Sequence, residues 1–233
     1  MFIKSPEWDI REKIRFQDTI TYFFWLFTIN LIGSLILAAI IRSFFLVENS
    51  AVSEILEEWR PIKFLIYGSI LIPIFEESLF RLALKPKAIN IGVASFSTVY
   101  FSLTKFLEIE SLFYFEVNPN CIIRLLVSIS LGLLVYRFSV NKSKHILRLW
   151  NKNFPRIFYL CGVLFALLHL NNYYVAANNN SFLIAIIVVL PHFFSALIFG
   201  YARLKHGFVF GTLLHSVNNL VVLSLIISTK GIV

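Results

Sequence analysis

Ile74-Phe75-Glu76-Glu77-Ser78-Leu79-Phe80-Arg81 closes an apolar run that begins at Phe64. Two adjacent carboxylates here would lie at membrane depth if the run spans a bilayer. A charged side chain there costs about 3 kcal/mol or more. The bland alternative ends the helix before Glu76 and leaves both acids at the water interface. Two features distinguish the acids. Glu77 and Arg81 are four residues apart, on one helix face, and can pair. Glu76 is turned about 100° from its neighbour. A carboxyl group in an apolar site gains proton affinity and can act as a general base.

The surrounding chain supports a membrane setting. Of 233 residues, 58% are hydrophobic and 15% charged, and the mean hydropathy is +0.78. That is too apolar for a soluble domain and fits an all-α, polytopic transmembrane bundle. The length suits one helical domain, residues 19–233, preceded by a polar segment, residues 1–18, able to form an interfacial helix. This segment mixes acids with bases and lacks the apolar core of a cleavable signal. Cys121 and Cys161 sit in apolar surroundings and read as small hydrophobes rather than a disulfide or metal pair.

Seven spans are expected. The first is Thr19 to Ile41 and the second about Pro61 to Leu84, ended by Lys85-Pro86-Lys87. The third is Ala88 to Thr104. After an acidic loop, Glu108 to Glu116, Asn118-Pro119-Asn120 reads as a turn. The fourth span, about Cys121 to Tyr136, has Arg124 near its start, expected to snorkel to the interface. Arg137 to Arg156 reads as a basic loop. Ile157 to Ala202 holds no charge over 46 residues, and the Asn-rich stretch Asn171 to Ser181 divides it into a fifth and a sixth span. Pro191 is expected to kink the sixth, and His192, with no polar partner in sequence, reads as a core histidine. Arg203-Leu204-Lys205-His206 reads as a basic turn before the seventh span, Gly207 to Thr229.

Of the 21 Lys and Arg residues, 15 fall in the N-terminal segment and alternate connections, and 6 in the others. The positive-inside rule then puts the N-terminus in the cytoplasm. The same alternation accounts for the net charge of +8 without invoking nucleic acid. At about 1.5 Å per residue, Glu76 and His215 lie roughly 12 Å from the cytoplasmic face.

Two further polar constellations interrupt apolar helices. In Phe165-Ala166-Leu167-Leu168-His169, the histidine follows a phenylalanine by one turn. In His215-Ser216-Val217-Asn218-Asn219, His215 and Asn219 share a face. Either could be a satisfied core group or an interhelical hydrogen bond. A glutamate, two histidines and an asparagine on three helices are also enough to activate water and stabilise an oxyanion.

Glu-Glu-x-x-x-Arg, Phe-x-x-x-His and His-x-x-x-Asn, in that order on separate helices, resemble the CAAX prenyl protease and bacteriocin-processing family, also called Abi. The resemblance covers about residues 61–219. It implies an intramembrane endopeptidase near the cytoplasmic side of a bacterial membrane. Glu76 would be the general base and His169 would help hold the water. His215 and Asn219 would stabilise the oxyanion. Glu77 and Arg81 would fix Glu76, and Phe165 would shape the pocket. The implied substrate is a peptide or protein, with a prenylated C-terminus, a leader peptide or a transmembrane segment as candidates. The cofactor expectation is none or zinc. Glu76, His169 and His215 could ligate zinc, but no His-Glu-x-x-His pairing supports it.

Two other classes compete. One is a non-catalytic immunity or scaffold protein of the same fold, which has no need for all four polar residues. The other is a transporter using Glu76 as a proton site, weakened by the absence of an inverted repeat.

Overall fold

A computed structural model describes residues 6–7, 16–44, 47–48, 61–109, 118–170, 174–175 and 181–229. The expected interfacial helix, most of the Arg42 to Arg60 loop, the acidic loop beyond Ile109 and most of the Asn-rich stretch lie outside them. The described chain is helical. α1 is Phe16–Phe44 and α2 is Pro61–Ile66. A π-helical turn, Tyr67–Leu71, leads into α3, Ile72–Phe80, and a 3₁₀ turn, Leu82–Leu84. α4 is Ala88–Phe106, α5 Pro119–Asn141, α6 Ser143–Leu168, α7 Ser181–Val188, α8 Leu190–His206 and α9 Phe208–Thr229. Two-residue strands, β1 (Val47–Glu48) and β2 (Tyr174–Val175), pair antiparallel. Among the described residues, three helices are long and apolar enough to cross a membrane: α1, α5 and α9.

The chain divides into two compact units. One holds Phe75–Ile157 with Met1–Trp8, and the other Asp9–Ile74 with Phe158–Val233. The first is organised by α4 against α5. The buried side of α5 is Cys121, Arg124, Ser128, Gly132 and Ser139, while its leucines and isoleucines are exposed. The buried side of α4 is equally small and polar: Gly92, Ala94, Ser97, Tyr100 and Thr104. This inverts a water-soluble helix. In a bilayer an apolar side chain gains nothing by leaving lipid, so small residues take the interface and the backbones close in. Gly92 and Gly132 set that approach. A Cβ at Gly92 would lie 2.8 Å from Tyr136 Cβ, and one at Gly132 2.9 Å from Phe96 Cβ.

Arg124 differs from the expectation. It does not snorkel but is buried, 4.3 Å over the Tyr100 ring and 3.2 Å from the Thr104 hydroxyl it donates to. A planar guanidinium can combine a ring face with a hydroxyl acceptor. Asn118-Pro119-Asn120 is also a helix start rather than a free turn. The Asn118 side chain accepts from the Cys121 N–H at 2.9 Å, with Pro119 at the first helical position.

The basic stretch Arg137 to Arg156 is helical as well, broken only at Lys142 between α5 and α6. Its lysines and arginines are good helix formers, and that propensity outweighs their charge here. Trp150 anchors α6 by donating to the Ala83 carbonyl at 3.1 Å.

The second unit packs α8 against α1 and α9. Phe199, Ala202 and Leu214 form its core, with Phe23, Leu26 and Phe27 of α1 against them. Asn30 of α1 is completely buried and donates to Asn218 Oδ1 at 2.9 Å. Such a bond between spans has no water to compete with it. The expected kink at Pro191 is seen as a one-residue interruption at Val189 between α7 and α8, with Pro191 in the first turn of α8. Arg203-Leu204-Lys205-His206 is the last turn of α8, and Gly207, at φ 103°, terminates it.

Candidate functional site

The polar residues singled out by sequence fall in both units. Glu76, Glu77 and Arg81 belong to the first, and Phe165, His169, His215 and Asn219 to the second.

On α3 the two acids have different environments. Glu77 is 0% exposed and Arg81 2%, and Arg81 Nη1 donates to Glu77 Oε1 at 2.5 Å. The one-turn spacing brings charge to charge, as expected. Glu76, turned to another side of the helix, is half-buried. The second carboxylate is thus fully buried against Arg81, while the first is only partly buried.

His169 lies one residue past the end of α6. There the helix tightens. The His169 N–H bonds to the Ala166 carbonyl at 3.0 Å, three residues back instead of four. The Phe165 carbonyl is therefore available, and His169 Nδ1 takes it at 2.8 Å. A carbonyl can only accept, so Nδ1 carries the proton and, in the neutral ring, Nε2 is the acceptor. The Phe165 ring packs on one side, centroids 4.7 Å apart, and His192 stacks at 4.1 Å with 21° between planes. His192, read from sequence as a core histidine, is therefore part of this cluster. No spacing pattern could have announced it, because the break before α8 brings it to His169.

His215 is buried in α9, stacked on Phe199 at 4.5 Å and edge-on to Phe165 at 5.9 Å. Asn219, one turn on, is directed elsewhere. Its Nδ2 donates to the Gly68 carbonyl in the π turn at 3.0 Å. In the same unit an apolar groove of about 240 Å³ is lined by Ile62, Leu65, Ile66, Ile70, Val217 and Leu220 among others.

The arrangement offers a histidine with a defined tautomer, a second buried imidazole and an oriented carboxamide, all within one unit. Among the described residues, no three His, Cys, Asp or Glu side chains are grouped as a metal ion would require.

Neither a curated protein nor a solved structure matches the chain. A family model does: that of the type II CAAX prenyl endopeptidase Rce1-like proteins matches residues 58–221, a span that holds every residue of the three motifs. Well over half of the chain is covered, and with its helical, apolar architecture it belongs to this family of membrane proteases.

Proposed function

We propose that the chain is an intramembrane endopeptidase in which Glu76 activates the attacking water. The observation that carries this is the contrast between the adjacent acids. Glu77 is sealed against Arg81, whereas Glu76 retains exposure. Glu76 takes a proton from water as the oxygen attacks the scissile carbonyl carbon. His169 orients that water by accepting its other hydrogen at Nε2. The negative charge that develops on the carbonyl oxygen is met by His215 and by the second Nδ2 hydrogen of Asn219, the first being held by Gly68. The C–N bond then breaks as the departing nitrogen takes up the proton held by Glu76.

The chemistry needs no metal. A zinc variant would instead make Glu76, His169 and His215 ligands. The substrate class is a peptide or protein end, with a prenylated CAAX terminus first by family and a leader peptide second. Seven crossings with the N-terminus cytoplasmic, supported by the 15 to 6 division of Lys and Arg, put cleavage on the cytoplasmic side.

The test is turnover of a prenylated CAAX peptide by the purified chain in lipid nanodiscs, with and without chelator. Glu76→Gln is expected to abolish cleavage while insertion and melting temperature hold. Full turnover by Glu76→Gln would assign the base elsewhere. Chelator-sensitive cleavage with stoichiometric zinc would replace the metal-free reading.

A further inference from the structure

The π turn Tyr67–Leu71 has a consequence for Asn219. In an α-helix the Ile72 N–H would bond to the Gly68 carbonyl, four residues back. Here it bonds to the Tyr67 carbonyl, five back. In that register the backbone donor for the Gly68 carbonyl would be the N–H of residue 73. Residue 73 is proline and has none. A partly buried carbonyl with no backbone donor and no water in the lipid-facing interior is unfavourable, so a side chain is recruited to it. Asn219 Nδ2 is that donor, at 3.0 Å. Gly68 lets α9 come close enough, since a Cβ there would lie 2.5 Å from Leu223 Cδ1.

We propose that Pro73 is a positioning residue for Asn219. By removing the backbone donor from the Gly68 carbonyl, it forces the Asn219 carboxamide to turn its nitrogen there. This fixes the amide plane and aims the second N–H away from Gly68. The functional half of the inference rests on Asn219 being an oxyanion donor; the structural half does not. A proline inside a membrane helix is also compatible with a simple kink, and a kink alone would not couple Pro73 to Asn219.

A double-mutant cycle on the full chain in nanodiscs separates the two. The first readout is thermal unfolding and needs no substrate. Asn219→Ala is expected to lower Tm by about 3 °C in the wild-type background. In the Pro73→Ala background, where residue 73 again has an N–H for Gly68, the same change is expected to shift Tm by less than about 1 °C. Equal shifts in both backgrounds would overturn the proposal. Pro73→Val repeats the cycle with the bulk of the ring replaced, so a packing defect at position 73 is told apart from a restored donor.

The second readout is cleavage of a prenylated CAAX peptide. Pro73→Ala is expected to lower kcat about tenfold with KM within twofold, and to cause no further loss in combination with Asn219→Ala. A Pro73→Ala loss that persists at full size without Asn219 would overturn the positioning role. If the thermal coupling holds but Asn219→Ala leaves kcat unchanged, the coupling stands and the assignment of Asn219 as oxyanion donor fails.

Discussion

Two polar pairs in this chain share one spacing and use it in opposite ways. Glu77 and Arg81 on α3 are four residues apart and bond to each other, both buried. His215 and Asn219 on α9 are also four apart, yet each is held by a different neighbour: His215 by the Phe199 ring, Asn219 by the Gly68 carbonyl. In the first pair the two side chains meet each other. In the second, each side chain is oriented by a different neighbour. Opposite charges seal a one-turn spacing, whereas neutral polar groups are decided by what packs against them.

The largest effect that would test this contrast is on the sealed pair. Arg81→Ala leaves the Glu77 carboxylate buried without its guanidinium, and should cost about 3–5 kcal/mol. The measurement is yield and unfolding temperature of the purified chain. A variant as stable as wild type would mean the pair does not hold the helix.

Next comes the open pair. His215→Phe keeps an aromatic ring on Phe199, so stability should change little, while cleavage should fall about a hundredfold or more, as when an oxyanion donor is lost. Parallel loss of stability and activity would make His215 a packing residue, like Arg81.

Asn30→Ala probes a third use of asparagine. Its bond to Asn218 is closed and remote in sequence, and removing it should cost about 1 kcal/mol without altering KM. A selective effect on turnover would bring this pair into the site.

The smallest effect is expected at His192. His192→Phe preserves a ring against His169 and should lower kcat by less than about threefold, whereas His192→Ala should lower it more by freeing the His169 ring. Equal losses from the two would show that the second imidazole contributes more than a surface to stack on.

Much of the helical order was legible from the sequence, because lipid requires long apolar runs and backbone groups bonded within them. The Glu77–Arg81 bond was legible too, since one-turn geometry and opposite charge suffice. Arg124 was misread: snorkelling is the cheapest course for an isolated helix, and only the Tyr100 ring and Thr104 hydroxyl of α4 offer another. The helical character of Arg137 to Arg156 was hidden because its density of charge resembles that of a solvated loop, although lysine and arginine are good helix formers. Asn30 and His192 carried no readable signal, because each meets its partner across helices far apart in sequence.

By itself, then, the sequence determined the helical membrane class, the three polar motifs and their order, and the separation of Glu76 from Glu77. These depend on composition and on the 3.6-residue period, both local properties of a chain. Tertiary structure alone decided which neighbour each polar atom meets. The tautomer of His169 depends on the tightening of α6, the stack of His192 on the break before α8, and the aim of Asn219 on a carbonyl that Pro73 leaves without a backbone donor. A buried hydrogen-bonding group must find a partner, and only the packed helices determine which one it finds.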